Sequence, residues 1–336
     1  MVEKKKINWL LILQGWAMLW VVIGHAFIGK SGARPEYVDW LFKFAYSFHM
    51  PLFMLVSGWL FYLTRFTRLK DKLTSWGGYN WTYWKIVKDK AVRLLVPGFV
   101  FSLVAFAVKI VFPDEVTRQA GLGLQDIIHQ YLYPNDNPMR ELWFIATLFW
   151  LFLLTPLWRF VLKTSWTMWL TMPILLILHF WHPNTEFLCL GRVFEYAIWL
   201  YLGLVISKTD MANTLLNRNA WVTLIVGIVL YVTGVYTNGF ITTIGGITLS
   251  FGLALLLDKY LPKTFESFRD YTYQIFLMGI FAQMFIKILY RHVQMPYLFA
   301  YILCILVGLY VPVFVSKIIE RINCTPLSLC VGLKKK

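Results

Sequence analysis

The sequence predicts an all-α, polytopic membrane protein with about ten transmembrane helices, and three observations carry that reading. Of its 336 residues 59% are hydrophobic and only 15% are charged, against about 25% charged in an ordinary soluble domain. The apolar residues come in long uninterrupted runs, as transmembrane helices require, and not in the alternation of an outer-membrane barrel. Aromatic residues make up 18% of the chain, which excludes disorder. A water-soluble enzyme of this length could not bury so much apolar surface.

The predicted spans are 7–28, 40–63, 94–112, 142–158, 166–181, 193–207, 220–237, 239–257, 273–290 and 297–316. Several fall short of the ~20 residues that cross a bilayer comfortably, so some connecting segments are expected to dip in. The first span reads as a membrane helix and not as a cleaved leader, because no small-residue cleavage site follows it. With the N-terminus in the cytoplasm, 23 of the 32 Lys and Arg lie in cytoplasmic segments, six in external ones and three inside spans. The positive-inside rule then predicts N-in and C-in. The net charge of +15 faces anionic lipid and cytoplasmic ligands and needs no nucleic acid. Residues 64–93 read as a basic cytoplasmic loop at the interface, studded with Trp76, Trp81 and Trp84. Residues 113–141 read as the longest external loop. The whole chain, 1–336, reads as one domain without an internal repeat. Cys189, Cys304, Cys324 and Cys330 lack metal-type spacing, and none reads as a ligand or a disulfide partner.

Polar groups inside a bilayer are costly and tend to mark function. Gln14 and His25 are eleven residues apart, close to three turns, so they share one face of the first helix. That spacing fits a satisfied histidine in a helix contact as well as a working one. In the second span Pro51 follows His49 and is expected to free backbone groups beside it. Ser57 and Gly58 supply a small, polar packing point. His49 fits a positioning role or direct contact with substrate. Lys90 and Arg93, one turn apart before the third span, suit a phosphate-bearing ligand, though interfacial anchoring produces the same pattern. Arg192 and Glu195 are placed to pair at i, i+3.

Together these residues resemble the acyltransferase-3 family of integral membrane O-acyltransferases, most closely its fucose-4-O-acetylase-like branch. Val21-Val22-Ile23-Gly24-His25 matches the end of the family's first helix. Phe48-His49-Met50-Pro51-Leu52-Phe53, followed by Ser57-Gly58, matches its second. Lys90 and Arg93 to Pro97, Leu142-Trp143-Phe144, and Gly191-Arg192 with Leu202-Gly203 also fit. The resemblance covers 7–316, and the family's ten-helix layout agrees with the count of spans. Two departures stand out. Gln14 occupies a position where many members carry Arg, and Ile275-Phe276-Leu277-Met278-Gly279 lacks the Tyr and His of the family's late motif.

The resemblance implies transfer of an acyl group, usually acetyl, from cytoplasmic acyl-CoA to a hydroxyl of a cell-surface or lipid-linked glycan. The site would lie in a multi-pass protein of the cell membrane. It implies His25 as the catalytic group, either general base or acyl carrier. Gln14, His49, Ser57, Trp143, Arg192 and Glu195 would support or bind substrate, and Lys90 and Arg93 would bind acyl-CoA. The donor is a substrate, with no metal and no resident cofactor expected. Expected partners are acyl-CoA, the glycan acceptor and membrane lipid. The competing readings are a glycan transporter or flippase and a structural partner of a polysaccharide synthase.

Overall fold

Each of the ten hydrophobic spans falls on helix in the computed structural model, which describes residues 7–29, 35–66, 76–112, 121 and 123–333. The main helices are α1 (Asn8–His25), α2 (Glu36–Phe61), α3 (Trp76–Val111), α4 (Leu124–Leu132), α5 (Leu142–Leu153), α6 (Thr155–Val161) and α7 (Ser165–Phe180). They continue with α8 (Leu190–Thr209), α9 (Ala220–Thr237), α10 (Gly239–Tyr260), α11 (Thr272–His292), α12 (Tyr297–Ile322) and α13 (Thr325–Cys330). No strand occurs among the described residues. Eight described helices are long and apolar enough to span a bilayer by length and composition, and the pair α5–α6, bent by 54°, makes up to nine. At 16 residues α7 is shorter. The protein is an all-helical, multi-pass membrane protein.

Two expectations change. Residues 64–93 are not one interfacial loop: helix α3 begins at Trp76 and runs 36 residues. At 1.5 Å per residue that is about 54 Å, well beyond a ~30 Å hydrocarbon core. The candidate span within it is Tyr83–Val111, and the charged turns from Lys85 to Arg93 belong to the same continuous rod. Residues 67–75 lie outside the described residues. Likewise 113–141 is not all loop, since it holds α4 and a short 3-10 turn, Pro134–Asp136.

The chain divides into two compact units. The first comprises Met1–Val56 and Asp210–Asn323. Here α1 packs against α10, α11 and α12. Met18, Val21 and Val22 meet Ile275, Leu309 and Val313 in a buried apolar cluster. Polar side chains at intervals fix the register of α1 on α10. Trp16 Nε1 donates to Ser250 Oγ at 3.0 Å, and Asn8 Nδ2 donates to Asp258 Oδ1 at 2.6 Å. Helices α9 and α10 form a tight antiparallel hairpin joined by Asn238 alone, whose side chain caps α10 by accepting from Phe240 N at 2.8 Å. Gly227, Gly234, Gly245 and Gly252 lie where a Cβ would collide with facing backbone. Lipid gives no hydrophobic drive between helices, so such close backbone contact supplies the attraction instead.

Pro51 does not interrupt α2, which runs 26 residues through it. A proline cannot donate to the carbonyl four residues earlier, here Ser47. Thr243 Oγ1 donates to that oxygen at 2.7 Å, so the freed group is satisfied by α10 and the helix continues.

The second unit comprises Ser57–Thr209 and Cys324–Lys336. Side chains satisfy backbone carbonyls at the broken ends of its helices. Tyr83 Oη donates to Leu153 O at 2.9 Å and Trp158 Nε1 to Leu151 O at 2.8 Å, both where α5 breaks into α6. Lys208 Nζ donates to Leu162 O at 2.5 Å. Gly58 presses its backbone directly on Leu200 of α8.

Candidate functional site

The predicted site residues divide between the two units. In the first, His25 is the last residue of α1. A helix end leaves its final carbonyls without intrahelical partners, and here side chains of α11 and α12 take them. Gln283 Nε2 donates to Val22 O at 2.9 Å, Tyr301 Oη to Ile23 O at 3.2 Å and Lys287 Nζ to His25 O at 2.7 Å. Tyr297 Oη bridges the N–H and carbonyl of Ile28 just beyond. The Lys287 ammonium also sits 5.0 Å from the Phe27 ring centroid. The backbone that carries His25 is thus held at four points, and a cation is fixed beside it. None of these four holding residues was singled out as a site residue from the sequence.

Gly24 earns its place in the Gly-His pair by packing. A Cβ there would meet Tyr46 Cε2 at 3.0 Å and Ala45 Cβ at 3.4 Å. Tyr46 links the two histidines: its ring centroid is 5.9 Å from that of His25 and 4.9 Å from that of His49. His49 is 2% exposed, and its Nδ1 is 2.6 Å from Ala45 O. A carbonyl oxygen only accepts, so Nδ1 carries the hydrogen and the neutral ring keeps its Nε2 lone pair. Gln14 lies three turns before His25 on α1, half-buried. Beside it, a Cβ on Gly15 would fall 2.8 Å from Phe265 Cβ.

The second unit brings together three of the predicted residues. Arg192 Nη1 bonds Glu195 Oε2 at 3.1 Å, and the Arg192 guanidinium lies 4.9 Å from the Trp143 ring centroid. Trp143 in turn meets Tyr196 at 5.3 Å. His179 Nδ1 is 2.5 Å from Glu195 O, so it donates to the turn that carries the acid. The arginine is therefore held by both its carboxylate and an aromatic face, a geometry that its planar, delocalised charge suits. The helix reaches this point through a strained entry, with φ of 49° at Leu188 and 58° at Cys189.

Lys90 and Arg93 behave differently from each other. The Lys90 ammonium is 3.5 Å from the Phe152 ring centroid and 5.1 Å from that of Phe61. Arg93 is exposed. Beside them Arg65 Nη2 and Asp89 Oδ2 pair at 3.0 Å. Ser57 is half-buried in α2 directly before Gly58. All four cysteines are free thiols, and no group of three or more His, Cys, Asp or Glu among the described residues could hold a metal ion.

A multi-pass helical protein with two histidines joined through Tyr46, one of them on a clamped helix end, and a separately held arginine is the class that this fold and these residues define. The acyltransferase-3 family model, described as an acyltransferase domain, matches residues 7–317, and the chain belongs to that family. No curated protein and no solved structure matches it. The protein is accordingly a membrane acyltransferase.

Proposed function

We propose that the protein is an O-acyltransferase of the cell membrane that moves an acetyl group from cytoplasmic acetyl-CoA to a hydroxyl of a cell-surface or lipid-linked glycan, the whole chain acting as one transferase domain. The observation that carries this reading is His25, the histidine that closes the Val-Val-x-Gly-His stretch, on a backbone fixed by Gln283, Lys287 and Tyr301. The likeness to the fucose-4-O-acetylase-like branch supports acetyl as the group and a sugar hydroxyl as its acceptor.

A thioester is already activated, so the reaction needs chiefly a base for the attacking hydroxyl. Histidine suits that task because its ordinary pKa is near neutrality. In the base reading, His25 takes the hydroxyl proton as the sugar oxygen bonds to the thioester carbon. The carbon–sulfur bond breaks, the thiolate of CoA leaves, and it recovers the proton from the imidazolium. Lys287 places a positive charge beside this centre, where the tetrahedral intermediate carries negative charge. His49 and Tyr46 hold the ring environment. Arg192, Glu195 and Trp143 offer a charged and aromatic surface to a polar acceptor. The test is direct: protein purified in detergent should transfer labelled acetyl from acetyl-CoA to a glycan acceptor. Movement of glycan across vesicles without transfer would instead favour the transporter reading.

For the donor, Arg93→Ala is expected to weaken acetyl-CoA binding by on the order of 1.5–3 kcal/mol, about ten- to hundredfold, as a charge-assisted phosphate contact is lost. Arg159→Ala should leave affinity nearly unchanged. Isothermal titration of both variants checks this, and equal affinities would make Arg93 an interfacial anchor. Lys90, stacked on Phe152 and Phe61, would reach a phosphate only by leaving those rings.

Orientation is open to cysteine labelling in a background without native cysteines. Both termini are proposed to be cytoplasmic, with 113–141 outside, on the Lys/Arg bias. A cysteine at Leu124, 75% exposed, should react with an impermeant reagent in intact cells. One at the exposed Asn213 should react only after permeabilisation. The reverse pattern would invert the topology.

A further inference from the structure

A cavity of about 740 Å³ lies in the first unit between α1 and α2. Trp20 of α1 lines it together with Glu36, Tyr37, Trp40, Leu41 and Phe44 of α2. Glu36, Trp40 and Phe44 follow at i, i+4 and i+8, so they run along one helix face over about 12 Å. Trp20 and Phe44 meet with ring centroids 4.5 Å apart, while Trp40 and Tyr37 are 65% and 46% exposed. Glu36 is the one charged side chain in the lining among the described residues. It is exposed and forms no ion pair among them. The charges beside it on α2, Asp39 and Lys43, hold each other at 2.8 Å. The other polar side-chain atoms of the lining are the Tyr37 hydroxyl and the indole nitrogens of Trp20 and Trp40. The Trp20 nitrogen is buried, so that ring turns carbon to the cavity.

Charge and depth decide what enters. Aromatic faces carry negative potential and a carboxylate only accepts, so the lining is matched to a positive group that presents carbon to the rings. Glu36 in the first turn of α2 also complements the helix dipole, which accounts for an acid there but not for four rings around it. Single Trp and Tyr residues are ordinary anchors at a membrane surface; here they share one cavity with an unpaired carboxylate. With the turn that continues it, α2 spans Glu36–Phe66, 31 residues, roughly 46 Å against a ~30 Å hydrocarbon core. Centred on that core, such a helix sets Glu36 to Trp40 in the head-group layer and Phe44 just inside the hydrocarbon. The cavity therefore runs from a carboxylate at head-group depth to an apolar end at chain depth. We propose that it binds a zwitterionic bilayer lipid, whose ammonium group meets Glu36, Tyr37 and Trp40 and whose upper chain lies against Leu41, Phe44 and Trp20. Occupancy is read with no acyl donor present, so the site stands apart from the transferase reading.

The probes are a phosphatidylcholine with a diazirine high in one acyl chain and its analogue in which an uncharged 3,3-dimethylbutyl ester replaces choline. Each is added at trace level to the full-length protein in nanodiscs that hold one copy, and crosslinks are mapped by peptide mass spectrometry. The choline lipid is expected to label the peptide carrying Trp40 and Phe44 about five- to thirtyfold more than its analogue, the worth of two exposed cation–π contacts. Glu36→Gln and Trp40→Leu should each reduce that preference at least about twofold. Both side chains are exposed, so both variants should fold, which size-exclusion elution checks. Equal labelling by the two lipids would overturn the cation requirement, and a preference unchanged in both variants would overturn the site. Displacement of the label by millimolar free choline would make the occupant a soluble cation and overturn the lipid. Absence of labelling in single-copy discs would leave the cavity to a second copy of the chain and overturn the proposal as well.

Discussion

Replacing His25 by alanine is expected to lower acyl transfer by about 10²–10⁴-fold, the loss that follows removal of a general base. Folding and acetyl-CoA binding should be largely kept. The structure explains why the two effects separate. What fixes the end of α1 is its backbone: the carbonyls of Val22, Ile23 and His25 accept from Gln283, Tyr301 and Lys287. Alanine leaves all three bonds in place and removes only the imidazole. His49 is the contrasting case. Its ring is buried and bonded to Ala45 O, so His49→Ala should harm stability as well as rate. Single-turnover transfer at matched concentrations of folded protein decides between them. A His25 variant with near wild-type turnover, beside an inactive His49 variant, would move the base to His49, whose Nε2 lone pair is also available.

Gly58→Leu should prevent recovery of folded protein. A Cβ at this position collides with the Leu200 carbonyl oxygen and lies 2.9 Å from its carbon and 3.2 Å from its Cα. These are backbone atoms of α8, which runs 20 residues and cannot yield locally. Overpacking of an ordinary core already costs about 1–3 kcal/mol, and here even the first added carbon meets main chain. Gly98→Ala is the control. Its Cβ would meet only side-chain carbons, Leu142 Cδ2 at 3.4 Å and Ile145 Cδ1 at 3.5 Å, while alanine gains roughly 0.5–1 kcal/mol in a helix over glycine. Size-exclusion elution and thermal unfolding in detergent measure both variants. A Gly58→Leu protein as stable as Gly98→Ala would mean that α2 and α8 do not touch through their backbones.

The glycine in Ser57-Gly58 was readable as a packing point, but its partner was not. Sequence spacing says which residues of one helix share a face; it says nothing about which helix, more than a hundred residues later, that face will meet. The pairing of Arg192 with Glu195 could be read directly, because i, i+3 neighbours on a helix meet whatever surrounds them. The Trp143 ring over Arg192 could not be read as a contact, because two separate helices make it. The start of α3 was missed for a related reason. Lys85, Lys88, Lys90 and Arg93 read as part of a basic interfacial loop by charge, yet a helix continues through charged turns when its apolar end is anchored.

The sequence by itself determined the class of this protein: all-helical, membrane-spanning, with spans placed where apolar runs exceed what water tolerates, and with the motifs of one acyltransferase family along 7–317. Burial in lipid is a local, additive property of a residue run, so it is legible one segment at a time. Only the tertiary structure decided that Gln283, Lys287 and Tyr301 hold the His25 turn from more than 250 positions away. It also decided that Thr243 repairs the carbonyl freed by Pro51. Each is a hydrogen bond between groups whose distance in the chain is unrelated to their distance in space. Within a bilayer, where water cannot stand in for a missing partner, those pairings fix the geometry on which the chemistry depends.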